Sequence, residues 1–291
     1  MTVREIVLPD RSLLLRTLVP VLGLLSTTAV AGDITAAYVW GVDLYPYGVR
    51  PTRTRLHVSV PPGVSTVGAP VVAHRETLSP TDRTVVEGAR VTTPARTAAD
   101  LAARAPSVFV ATARLDGFLS RGLVTGGDLA RAARSPRAER SLRRLRSALT
   151  YSSALSRSPG ESWARVLVLE AGLPPPVPQC PVSTGEGVFH ADLGWPSQRV
   201  ALEYDSLEFH SSPEALARDR VRYAAMRAEG WEVVSVSVYD LQKRPDRLLR
   251  RVLHTLTRRG WSCPPHRLSR VRERIDAYAR RPPLMVGPRG F

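Results

Sequence analysis

Carboxylates and a histidine crowd one short stretch, FHADLGWPSQRVALEYDSLEFH, residues 189–210. If the chain reverses at Ser197–Gln198, pairing inward sets Trp195 against Val200, Leu193 against Leu202 and Asp192 against Glu203. Opposed residues of an antiparallel ladder lie about 5 Å apart at Cβ. Glu203 and Asp205 are two apart on one strand and share a face. Three carboxylates then converge, with His210 just beyond them. Like charges held that close raise each other's pKa unless a cation separates them. The pattern therefore points to a divalent metal held by Asp192, Glu203 and Asp205.

The elements that position these acids follow from local signals. Ser158-Pro159-Gly160-Glu161 is a capping box with Pro at the first helical position, and Gly172 ends the helix. The proline-rich stretch LPPPVPQCPV reads as a loop into the hairpin. Ser212-Pro213-Glu214 opens a further helix, with Ala217, Val221, Ala224, Ala225 and Ala228 as its apolar stripe. WEVVSVSVYDL alternates as a strand, and Pro245–Arg259 reads as a basic amphipathic helix. The order is helix, strand, strand, helix, strand, helix: an α/β layer on a mixed sheet.

In the first half, Leu13–Ala31 is apolar but interrupted by Arg16 and Pro20. It reads as a buried pair of helices broken at Pro20–Gly23, with a signal peptide as the competing reading and no span long enough for a membrane. Asp33 can cap Ile34–Trp40. LHVSV alternates as a half-buried strand, Val71–Arg75 and Arg90–Thr92 are further short strands, and Thr93-Pro94 opens a helix. Ser135–Arg157 carries Arg137, Arg140, Arg143, Arg144 and Arg146 against Glu139, and is the natural place to divide the chain. The expected division is 1–134, a basic linker 135–157, a second domain 158–262, and an Arg- and Pro-rich tail 263–291 that is only partly ordered.

The chain has 291 residues and a formal charge of +15, which favours an anionic partner such as DNA. Lys243 is its one lysine, so arginine supplies the charge, as GC-rich coding also would. Cys180 and Cys263 form neither a disulfide framework nor a zinc motif, which fits a reducing cytoplasm.

Residues 158–241 also resemble an uncharacterised nuclease-like family of the PD-(D/E)xK superfamily, and its relative the very-short-patch mismatch repair endonuclease. The family pattern is Asp on one strand, Glu-x-Asp-Gly on the next, a His, then Asp-x-x-Arg and Gly-Trp before a last strand. Asp192, Glu203, Asp205, His210, Asp219, Arg222, Gly230 and Trp231 occupy those places. The resemblance implies Mg²⁺- or Mn²⁺-dependent DNA cleavage or nicking, in phage defence or repair. Asp192 and Glu203 would be ligands, Asp205 a ligand or the orienter of a bound water, and His210 a general acid or base. It also makes Glu161 and Asp219 site candidates, although a helix cap accounts for the first and an intrahelical pair with Arg222 for the second. Arg199, Arg218, Arg222 and Lys243 are candidates for phosphate contacts. Two positions depart from the pattern: Ser206 replaces the Gly, and the superfamily lysine is absent.

ITAAYVWGVDL, LHVSVP and VTTPARTAADLA resemble the N-terminal part of AbiEi-type antitoxins. That implies a winged helix-turn-helix followed by a small α/β region. The expected architecture is α/β (α+β): a winged-helix-like module, then a restriction-endonuclease-like mixed sheet flanked by helices. The leading expectation is a metal-dependent endonuclease. The alternative is a non-catalytic, DNA-binding, antitoxin-like repressor with a degenerate nuclease domain, and a toxin or self-association partner stays open.

Overall fold

Leu14, Leu15, Leu18 and Leu22 recur at helical spacing, and all four are buried in one helix, Arg11–Leu25. The helix runs through Pro20 and Gly23 instead of breaking there. Pro20 forfeits one backbone hydrogen bond at about 3 kcal/mol, which burying four leucines at ~1.5–3 kcal/mol each outweighs. This computed structural model describes residues 6–7, 11–42, 44, 53–66, 71–134, 139–205, 213–281 and 283.

In chain order the first half runs β1 (Ile6–Val7), α1 (Arg11–Leu25), β2 (Val30–Ala31), α2 (Asp33–Val39), β3 (Arg53–Thr54), β4 (Leu56–Val60), β5 (Val71–Arg75), β6 (Arg83–Val86) and β7 (Ala89–Thr92). Helices α3 (Pro94–Arg104), α4 (Val108–Leu119), α5 (Gly126–Ala132) and α6 (Glu139–Tyr151) follow. Five strands form a sheet in the order β5-β4-β2-β7-β6, in which β4–β5 and β2–β7 are parallel. Parallel neighbours need crossover connections, so among the described residues this half is a mixed sheet carrying helices. That corrects the winged-helix expectation.

The second half runs α7 (Pro159–Glu170), β8 (Val177–Thr184), β9 (Gly187–Trp195), β10 (Val200–Asp205), α8 (Pro213–Ala228), β11 (Glu232–Ser237), α9 (Val238–Lys243), α10 (Pro245–Arg258) and α11 (Pro265–Arg280). Its sheet has the order β11-β10-β9-β8, with β10 and β11 parallel and the other pairs antiparallel. The overall class is thus α/β (α+β), with two mixed sheets. The stretch expected as a proline loop is largely the edge strand β8; Pro178 and Pro181 are tolerated because an edge strand leaves one side of its backbone unpaired.

Two boundaries also move. The basic segment is no linker: Leu145 and Ala148 of α6 are fully buried, and α6 packs on α3 and α4. Within the tail, residues 265–280 form α11, which buries Val271 and Ile275 against α10. One apolar core runs from Leu101, Leu115 and Phe118 through Trp163 and Leu167 to Leu202, Val236 and Leu249, so the halves share an interior. At their junction Asp116 of α4 accepts from Arg165 at 2.5 Å, Ser162 Oγ at 2.6 Å and the Ser153 N–H at 2.7 Å. No helix among the described residues is long and apolar enough to cross a membrane.

Candidate functional site

The hairpin forms in the register its turn dictates. A single 3-10 turn, Pro196–Gln198, joins β9 to β10, and Trp195–Val200, Gly194–Ala201 and Leu193–Leu202 pair across it. There the ladder stops. The expected direct Asp192–Glu203 rung does not form, because the Asp192 side chain turns in and its Oδ2 accepts the Tyr204 N–H at 2.7 Å. On the other side of β9, Gln179 of β8 takes φ +48°, a left-handed conformation inside a strand. The sheet distorts around Asp192 from both sides.

Tyr204 packs its ring onto α7, where a Cβ on Gly160 would fall 2.2 Å from it. That contact brings the start of α7 over the strands. Ser158 Oγ accepts the Glu161 N–H at 3.2 Å, as an N-cap should, and Glu161 in turn accepts the Arg157 N–H at 2.9 Å. The Glu161 carboxylate is buried, facing the strands, and also accepts from Gln179 Nε2 at 2.9 Å. The Gln179 amide also favours the charged form of Asp192, so it acts on both acids.

Burial, and then the neighbouring Glu161 charge, pushes the Asp192 carboxyl up to about 7, against the opposing pull of the Tyr204 N–H and Arg222. Burial and the Asp192 charge push Glu203 up to about 8, against the opposing pull of Arg222. Glu203 is 1% exposed: its Oε2 meets Arg222 Nη1 at 3.0 Å, while its buried Oε1 has no hydrogen-bond partner among the described residues. Glu161, Asp192 and Glu203 are therefore a crowded, under-compensated group of acids.

The remaining expected residues lie around it. Asp205 ends β10, with its Oδ2 accepting from Ser235 Oγ at 3.4 Å. Asp219 pairs with Arg222 one turn on at 3.4 Å, so Arg222 spends its charge on acids and is ill placed for phosphate. Arg199 sits in the turn at φ +49° and donates to the Glu229 carbonyl at 3.1 Å, tying the hairpin to the end of α8. Arg218 and Lys243 are exposed. His210 and Ser206 lie outside the described residues. The alanine stripe expected to anchor α8 faces outward, with Val221 59% exposed. Met226 is buried instead with Tyr223 packed beside it, since alanines gain little by burial. Gln179 was the residue sequence reading missed; its signal, a polar residue among strand prolines, is weak.

Comparison with known proteins follows the same division. Residues 29–151 match the AbiEi antitoxin C-terminal domain. The match reaches from β2 through α6 and corrects the resemblance to the antitoxin's N-terminal part. No solved structure matches the chain. Uncharacterized proteins from two strains of Mycobacterium tuberculosis are each 32% identical over 236 residues, covering 79% of this chain and 82% of theirs. At that identity and coverage the chain belongs to the same family as these mycobacterial proteins, and an AbiEi antitoxin C-terminal domain-like region forms its first half.

Proposed function

We propose that this chain is a DNA-binding protein of the antitoxin type, acting as a repressor with a toxin-type protein as its partner. The match of residues 29–151 to an antitoxin domain carries this reading. The charge of +15 supports it, as do Arg140, Arg143 and Arg146, which are exposed along α6 at the end of the matched region. Arginine forks suit phosphate oxygens. The test is anisotropy of a labelled duplex across a salt series. Binding should weaken steeply with salt, and Arg140→Ala, Arg143→Ala and Arg146→Ala together should flatten the slope by about 0.9 per lost phosphate contact. A chain with no duplex affinity at low salt would refute the reading.

One observation favours a second activity, Mg²⁺- or Mn²⁺-dependent phosphodiester cleavage: the orphaned Glu203 Oε1 beside Asp192 and Glu161. Acids pushed up to about 7 and about 8 share one positive partner, Arg222, and a hard dication fits the charge left over. Asp192 and Glu203 would hold it; among the described residues no three of these acids bring ligating oxygens within 4.8 Å of one another, which corrects the expected convergence of three carboxylates, so water and phosphate oxygens would complete the shell. Such an ion supplies an activated water and stabilises charge on the phosphoryl group. The chain's own residues do the positioning: the Tyr204 N–H fixes Asp192, Gln179 fixes Glu161, and Arg222 fixes one Glu203 oxygen. A plasmid nicking assay with Mg²⁺ or Mn²⁺ compares wild type with Asp192→Ala and Glu203→Ala. Nicking that both substitutions abolish supports cleavage. Intact plasmid with salt-sensitive binding leaves the repressor alone.

A further inference from the structure

We propose that Asp33, His57 and His74, in the first half, form a binding site for a divalent transition-metal ion. This site is independent of the acids of the second sheet. Among the described residues, these three form the one group of His, Cys, Asp or Glu ligating atoms all within 4.8 Å of one another.

Strand pairing makes the juxtaposition. β4 and β5 run parallel, with His57 against Val72 and Ser59 against His74. The two histidines are thus diagonal neighbours on one face of the sheet. His57 Nδ1 and His74 Nε2 point at each other 3.0 Å apart. Asp33, at the start of α2, completes the group, with its Oδ1 3.7 Å from His57 Nδ1 and its Oδ2 4.0 Å from His74 Nε2. Tetrahedral ligands about 2.0–2.1 Å from a metal lie roughly 3.3 Å from one another, and the three separations bracket that value.

Asp33 also holds a conformation the backbone resists. Its φ is +51°, in the left-handed region, and its carboxylate is 7% exposed. An acid is kept there under strain, aimed at two imidazoles. The charges around it run the same way. Arg104 meets Asp33 at 3.1 Å, Glu76 at 3.1 Å and Asp100 at 3.8 Å. Arg96 pairs with Glu76, with Asp82 at 2.9 Å and with Asp100 at 2.6 Å. Among the described residues four carboxylates thus meet Arg104 and Arg96, and Arg114 acts on Asp33 through space. Arg104 also steadies the Asp33 carboxylate, as outer partners of metal ligands do. Two imidazoles and one carboxylate suit Zn²⁺, Co²⁺ or Ni²⁺ better than Mg²⁺ or Ca²⁺.

The test titrates the full chain with Zn²⁺ by calorimetry and with Co²⁺ by visible absorption. One equivalent of Zn²⁺ should bind, Co²⁺ should give a d–d band that Zn²⁺ displaces, and Zn²⁺ should shield His57 and His74 from acylation by diethyl pyrocarbonate. His74→Gln and Asp33→Asn should each weaken Zn²⁺ at least about tenfold, the lower end even for outer partners. The double substitution Asp192→Asn, Glu203→Gln should leave Zn²⁺ bound. Wild type that takes up no Zn²⁺, or acylation unaffected by Zn²⁺, would mean that the imidazoles share only a hydrogen bond. Either result overturns the proposal. So does Zn²⁺ binding that survives His74→Gln and vanishes with the hairpin acids.

Discussion

Asp192 Oδ2 accepts the Tyr204 backbone N–H at 2.7 Å, where the next rung of the β9–β10 ladder would lie. A side chain has replaced a strand as the acceptor, and it brings a negative charge between two other buried acids. The consequences are measurable.

Stability should fall as pH rises from about 4 to 8. Unfolded carboxyls release their protons near ~4, whereas folded Asp192 and Glu203 keep theirs to about 7 and about 8. In that window the folded chain binds more protons than the unfolded chain, so each rise in pH favours unfolding. Urea midpoints at pH 5 and pH 8 measure it. Asp192→Asn, which cannot ionise, should gain on wild type between those values. A constant difference would show that the raised affinities are absent.

Arg222→Ala should destabilise more at pH 8 than at pH 5. The arginine is the cation on Glu203 Oε2, whose sister oxygen lacks a partner among the described residues. At pH 8 wild-type Glu203 is about half ionised and the variant takes up a proton instead, adding roughly 0.4 kcal/mol to the loss seen at pH 5, where that proton is already in place. Equal losses at both values would remove Glu203 from the account.

Gly160→Ala should destabilise even though alanine favours helices by up to ~1 kcal/mol. A Cβ there would meet the Tyr204 ring at 2.2–2.5 Å, and overpacking costs about 1–3 kcal/mol. Gly23→Ala in α1, with nothing within 4 Å of the new carbon, is the contrasting case and should stabilise. Thermal midpoints of the two variants should move in opposite directions.

Asp116→Ala should be among the most damaging single changes. Asp116 is 1% exposed and pairs with Arg165, which also donates to Ser156 and to the Tyr151 carbonyl. Breaking a buried pair by removing one partner costs about 3–5 kcal/mol. Asp116→Asn, whose one oxygen can still accept the Ser153 N–H while its NH₂ meets the rotatable Ser162 hydroxyl, should cost less; denaturant titration separates them.

Much of the second half was legible because its signals are local. Ser158 with Glu161 starts a helix, Pro196-Ser197-Gln198 turns the hairpin, and the register follows from the turn. What was misread depended on distant partners. Pro178 and Pro181 sit in a strand because β8 is an edge, and Pro20 sits in a helix because leucines on the other side are buried. At the hairpin, residue types gave the acids but not their fine placement, since a side chain ended the ladder one rung early. Asp33, His57 and His74 carry no motif; only the crossover that sets β5 beside β4 unites them.

The shared interior decides how this molecule can be taken apart. Phe118, Trp163 and Leu167 belong to one continuous cluster, and the α4–α7 junction is clamped by Asp116 and Arg165. Severing the chain at residue 157 would bare greasy surface on both fragments, so neither piece would fold as a free-standing module. Any partner exchanged for the second half would have to reproduce the α7 surface that α4 and α6 have grown around.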